Sequence, residues 1–196
     1  LTIYVSEYVV GTPELAPLYI LFYMIPSALS VPFWVWASKR VGKKRIWMTS
    51  MLISAFGFGS MFLLENGDVI LISVLAGILG FGGGAGSVVA PSIQADVIDF
   101  DEFQTGDRKE CAYFAAWNFV YKFGVGLTLM LTGFVLELSG FVANAVQTES
   151  SLFALKSLYG LFPMACYLVA TLILSRFSLD EAEHSRIRAE LDKRSN

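Results

Sequence analysis

Lys122 is the residue best placed to do chemistry in this chain. It lies in the run Cys111–Leu136, which carries no other charge and is long enough to cross a bilayer. The nearer end of the run is 11 residues away, about 16 Å of helix. A lysine stem cannot snorkel that far to the headgroups. Inserting a lysine at that depth costs roughly 2.5–3.5 kcal/mol. It therefore marks a water-filled path, a substrate site, or a cation satisfied by carbonyls inside a bundle. At 100° per residue, Tyr113, Trp117, Asn118, Tyr121, Lys122, Thr128 and Thr132 share one half of the helical wheel. Phe119, Val120, Phe123, Leu127, Met130 and Phe134 are among those on the other half, which suits lipid or apolar packing. Aromatic rings stack on sugars, and Asn, Lys and Tyr donors bind hydroxyls. This half-polar face is what a hydrophilic substrate path needs, and Asn118 lies one turn from the lysine, within side-chain reach. A polar seam between two helices would show the same pattern.

The carboxylates form a second group. Glu7, Glu14, Glu65, Asp68, Glu137 and Glu149 fall at one end of the expected spans, and the rest fall at the other end or in the tail. None shares the depth of Lys122, so its partner is expected outside this chain, in a substrate, or among carbonyls. Asp96, Asp99, Asp101, Glu102 and Asp107 precede Arg108, Lys109 and Glu110, with Val97, Ile98, Phe100 and Phe103 interleaved. This mixture reads as a short interfacial segment beside the basic Ser38–Arg45 loop. Asp96, Asp99 and Arg108 are the candidate cytoplasmic gate. Exposed pairs are each worth about 0–1 kcal/mol, yet several together bias conformations that differ by a few kcal/mol. An ordinary solvated loop is the plainer alternative.

The elements that must position these groups are membrane spans. The chain is 55% hydrophobic and 16% charged, against about 25% charged in soluble domains. Five complete spans are expected: Leu15–Ala37, Ile46–Leu64, Val69–Ala90, Cys111–Leu136 and Leu152–Ser175, each near the ~20 residues that cross the hydrocarbon. Leu1–Val10 is shorter and ends in Gly11-Thr12-Pro13, as the outer part of a truncated helix would. Lys39, Arg40, Lys43, Lys44, Arg45, Arg108, Lys109, Arg176, Arg186, Arg188, Lys193 and Arg194 all fall on one side, twelve of the fourteen basic residues. That side is the cytoplasm by the positive-inside rule. The opposite connections hold no basic residue until Lys156.

Gly80/Gly84 and Gly82/Gly86 are overlapping GxxxG pairs, which let helix backbones approach closely in lipid. Pro91 is expected to end or kink that helix. Cys111 and Cys166 lie at different depths, so no disulfide is expected, and both read as small apolar packing residues. Phe177–Asn196 reads as an amphipathic cytoplasmic tail with a solvated His184. The domain division is therefore a bundle over residues 1–176 and a tail over 177–196.

Ala95-Asp96-Val97-Ile98-Asp99-Phe100-Asp101-Glu102-Phe103, followed by Thr105-Gly106-Asp107-Arg108-Lys109-Glu110, resembles the loop between helices ten and eleven of the glycoside–pentoside–hexuronide:cation symporters. Lys122-Phe123-Gly124 is similar to that family's lysine in helix eleven. By position Trp117, Asn118, Tyr121 and Lys122 resemble the substrate-facing stretch of that helix in melibiose permease-like members, which implies that they are the substrate-binding residues. The Gly77–Gly86 span and Leu172–Phe177 also look alike. The resemblance covers essentially the whole chain. It implies an all-α membrane protein, the C-terminal six-helix half of a major facilitator fold with its first helix truncated. It also implies cation-coupled transport of a sugar or glycoside in a cell (inner) membrane. The coupling ion, Na⁺ or H⁺, would be bound mainly by the missing N-terminal half. Ser87 stands where melibiose permease-like members carry a tryptophan, which favours a sugar other than melibiose.

A lysolipid carrier of the same superfamily and a non-transport scaffold are the competing readings. A membrane enzyme would need a nucleophile–base pair or metal ligands at one depth, which one tail histidine and two separated cysteines do not supply. No catalytic residue, metal, organic cofactor or nucleic acid partner is expected. The expected partners are the sugar, membrane lipid and the missing half.

Overall fold

The computed structural model describes residues 1–176 together with Arg186, Ile187 and Glu190. His184 and most of the expected tail lie outside the described residues. The first helix, α1 (Thr2–Val5), runs on through a π-helical turn over Ser6–Val10 and stops at Gly11. Gly11 has φ 79°, a left-handed conformation that favours glycine. After a 3₁₀ turn over Pro13–Leu15 come α2 (Ala16–Val41), α3 (Lys43–Met61), α4 (Val69–Thr105) and α5 (Glu110–Leu138). The last span is composite. It comprises α6 (Glu149–Lys156), a π-helical turn over Ser157–Leu161, and α7 (Phe162–Ser175).

Four helical stretches are long and apolar enough to cross a membrane: Pro13–Val41, Val69–Thr105, Glu110–Leu138 and Glu149–Ser175. The fifth expected span, α3, is not one of them. Lys43, Lys44 and Arg45 occupy its first turn. Its remaining helix, Ile46–Met61, is about 24 Å long, short of the ~30 Å hydrocarbon core. The chain continues as tighter turns, with Phe62, Leu63 and Leu64 donating to Gly59, Ser60 and Met61.

The larger correction concerns α4. Pro91 does not end it, and the expected interfacial segment is the last part of the same 37-residue helix. Pro91 is exposed on the helix surface. Ile98 and Asp99, beyond it, are buried, and Lys43 clamps Asp96 from α3. These contacts hold the helix past the proline. Gly106, at φ 78°, stops it. The connection to α5 is therefore only Gly106 to Lys109.

Packing centres on α4, which lies against α2 and α3, while α3 also lies against α7. Glycine makes this closeness possible. A Cβ at Gly80 would meet the Tyr23 carbonyl, and one at Gly84 would meet Ser27 and Ser30, all on α2. Gly82 faces Ser50 and Ser54 on α3 instead. Gly86 faces open space, so the second expected GxxxG pair contributes one contact glycine rather than two. Hydrogen bonds cross the same seam: Trp34 Nε1 and Ser30 Oγ donate to the Phe81 carbonyl at 2.7 and 3.2 Å. Gly160, in the π turn, lets α3 approach at Phe58 and Phe62.

One apolar cluster gathers Val5, Val10, Tyr19, Met61, Ile72 and Leu155 near the Glu65 end. A second, with Trp34, Ala37, Ile46, Ala85 and Val89, lies toward the Lys43 end.

Candidate functional site

The helix that carries Lys122 stands apart from the rest. Leu136 is its only buried residue, and it joins the first cluster. Neither half of the expected wheel is packed. Phe119 and Val120 are 70% and 66% exposed, and Tyr121 is 62% exposed. Phe119 and Phe123 stack on each other at 6.2 Å rather than on a neighbouring helix. Trp117, Asn118, Tyr121 and Lys122 are all exposed on α5. The Asn118 amide does not engage the lysine: it donates to the Phe114 carbonyl one turn back at 2.8 Å. Among the described residues, Lys122 forms no ion pair with a carboxylate. The four residues share a helix face, and none of them lines any of three cavities in the bundle.

Farther along the helix, Thr128 and Thr132 do line a cleft. It encloses about 400 Å³ against α1 and α7, with Thr2, Tyr159, Cys166 and Tyr167 on the other walls. A second cavity of about 340 Å³ lies between α1, α2, α3 and α4, and Thr2, Phe58 and Tyr159 border both. Thr2 and Tyr159 are hydrogen bonded at 3.3 Å. Tyr19 and Tyr23 also line this inner cavity. These hydroxyls were not among the sequence candidates. Their signal is tyrosine inside apolar spans, which is weak because tyrosine also serves as an ordinary packing residue. Cys166 is a cleft-lining residue, and both cysteines are free and exposed rather than packed. Ser87 is exposed on α4 and donates to the Gly84 carbonyl at 2.8 Å.

The three gate candidates lie at one end of the bundle, where Lys43 reaches Asp96 and Arg108 reaches Asp99. Arg108 bonds Asp99 at 3.0 Å, Glu102 at 2.6 Å and, through Nε, Glu110 at 2.8 Å. Asp96 is instead held by Lys43 Nζ, at 2.8 and 2.7 Å to its two oxygens. The reason is helical continuity. With α4 unbroken, Asp96 faces the start of α3, while Asp99 faces the turn that carries Arg108. Lys109 pairs with Asp101 at 3.3 Å. Hydrogen bonds from Arg108, to Glu110 above all and then to Glu102 and Asp99, push its already high pKa further up. It is a permanent cation whose hold is set by its three carboxylates. Among the described residues, no group of three or more His, Cys, Asp or Glu is arranged to hold a metal.

Four apolar helical stretches of spanning length mark a multi-pass membrane protein. Residues 1–181 match the family model described as MFS/sugar transport protein, and the chain belongs to that family of the major facilitator superfamily. It is 31% identical to the uncharacterized symporter YjmB of Bacillus subtilis, over 98% of this chain and 42% of the relative. It is 28% identical to the isoprimeverose transporter of Lactiplantibacillus pentosus, over 98% and 40%. It is 26% identical to the glucuronide carrier protein homolog of Escherichia coli, over 87% and 37%. The chain thus spans about two fifths of the length of the curated relatives it matches. The resemblance seen in the loop and lysine motifs is borne out at the level of family.

Proposed function

We propose that this chain is the C-terminal half of a cation-coupled symporter that carries a sugar or glycoside by alternating access. The observation that carries the reading is Lys122, exposed at the middle of an apolar helix beside Trp117, Asn118 and Tyr121. A helix left unpacked, with polar groups along one face, suits a wall of a path completed by another part of the protein. Substrate paths in such carriers lie near the midplane between two repeats. The relatives include proteins named for isoprimeverose and glucuronide transport, which favours a sugar over an amphiphile.

In this reading Lys122 donates to substrate hydroxyls or to an acidic group of the other half. Trp117 and Tyr121 supply stacking faces, and Asn118 adds donors and an acceptor. Na⁺ or H⁺ is the coupling ion, held mainly outside this chain. Asp96, Asp99 and Arg108 act at the cytoplasmic side, in a cell membrane with the C-terminal tail inside. Residues 1–176 form the bundle and 177–196 the tail.

The test is sodium- or proton-driven uptake of glucuronides and isoprimeverose by the full-length protein. Lys122→Ala is expected to abolish concentrative uptake while expression and melting temperature stay near the parent's. Normal uptake in that variant would end the site assignment and return Lys122 to a structural role.

A further inference from the structure

The transport reading makes no use of a groove at the end of the bundle opposite Lys43. It encloses about 400 Å³, within the ~300–1,000 Å³ typical of small-molecule sites. Its walls come from the end of α1, the turn after α3 and the start of α6, and include Tyr8, Phe62, Glu65, Glu149, Phe153 and Lys156.

Charge is ordered by depth in this groove. Glu149, Phe153 and Lys156 are spaced i, i+4 and i+7 along one helical stripe. Glu149 begins α6, and Lys156 lies about 10 Å farther along the axis. Glu65 follows the last turns of α3 and stands with Glu149 at the mouth. A helical side chain leans toward the helix N-terminus, so the lysine stem reaches back toward the carboxylates. Its Nζ sits 5.5 Å from the centroid of the Phe62 ring. Among the described residues, no carboxylate forms an ion pair with it. The side wall is apolar and open to the bundle surface: Phe62 and Phe153 meet edge to face at 5.7 Å, and Phe153 is 61% exposed.

We propose that this groove binds the headgroup of a phospholipid whose phosphate bears a primary ammonium, as in phosphatidylethanolamine. Such a lipid carries its ammonium outermost, its phosphate deeper, and its acyl chains deeper still. The groove presents complementary groups in the same order: Glu65 and Glu149 at the mouth, Lys156 below them, and the Phe62–Phe153 wall on the apolar side. A glycerol headgroup offers no cation to the two carboxylates. A sugar offers no phosphate to the lysine and no chain to the open apolar wall.

The assignment stands independently of whether the chain moves a sugar. The test uses the full-length protein, delipidated in detergent and titrated separately with phosphatidylethanolamine and phosphatidylglycerol. Bound lipids are counted by native mass spectrometry. The parent is expected to bind phosphatidylethanolamine in preference. Lys156→Met is expected to weaken that binding about fivefold, the contribution of one basic residue facing lipid phosphate, while Lys156→Arg preserves it. Glu149→Gln, which leaves the lysine in place, should narrow the preference over phosphatidylglycerol. Melting temperatures of all variants provide the folding control. Equal lipid binding by the parent and Lys156→Met, or no headgroup preference in the parent, would overturn the proposal. So would displacement of the lipid by glucuronide, which would make the groove a sugar site.

Discussion

At the residue scale, ion pairs that look alike in sequence differ in what surrounds them. The side chains of Lys43 and Asp96 are only 24% and 13% exposed, whereas those of Lys109 and Asp101 are 44% and 22% exposed. Removing one partner of a sheltered charged hydrogen bond costs about 1.5–3 kcal/mol, and an exposed pair is worth about 0–1 kcal/mol. Lys43→Met is therefore expected to lower the melting temperature clearly, and Lys109→Met hardly at all; thermal unfolding in detergent checks the order. Arg108 is itself 44% exposed but reaches Asp99, which is only 8% exposed. Arg108→Ala takes a charged donor from the sheltered Asp99 and is expected to lower the melting temperature and to shift the balance between inward- and outward-open forms. Cysteine accessibility from the two sides measures this, and unchanged accessibility would remove Arg108 from the gate.

At the scale of elements, α4 depends on where its glycines point. Gly80 and Gly84 meet backbone or serine atoms of α2, while Gly86 and Gly124 meet nothing within 4 Å. A methyl forced into a packed seam costs about 1–3 kcal/mol. In open helix, alanine is favoured over glycine by about 1 kcal/mol. Gly80→Ala and Gly84→Ala should destabilise, and Gly86→Ala and Gly124→Ala should be neutral or stabilising. Parallel melting curves of the four variants separate the two groups. GxxxG spacing revealed both overlapping pairs but not which members touch a partner, because contact depends on how α4 is rotated against α2 and α3. The continuation of α4 past Pro91 was likewise not legible. Proline is a local signal, and burial of Ile98 with the Lys43 clamp on Asp96 comes from distant residues.

For the whole molecule, the distribution of basic residues leads to one expectation. Positions 42 and 196 should be labelled from the cytoplasm and position 66 from outside, in single-cysteine variants of the full-length protein. Labelling of position 66 from the cytoplasm alone would reverse the topology. A second expectation follows from the unpacked state of α5. If its polar face is one wall of a path shared with another half, the isolated chain in liposomes should show no ion-driven sugar uptake. Uptake by the isolated chain would refute that arrangement.

Sequence alone determined that the chain is helical, that it is a membrane protein and which family it resembles. Each of those rests on composition, run length or contiguous motif, and none requires knowing what touches what. It also singled out Lys122, because an isolated charge in a 26-residue uncharged run (Cys111–Leu136) is anomalous in any packing arrangement. Only the tertiary structure decided that Asp96 belongs to Lys43 and Asp99 to Arg108, since that division follows from helix continuity and rotation. It alone brought Thr2, Thr128 and the pair Tyr159 and Tyr167 from three spans to the cleft and Lys156 into a groove with Phe62 and Glu65. Such gatherings join residues far apart in the chain, and their physical cause is the packing of helices against one another, which no local window of sequence contains.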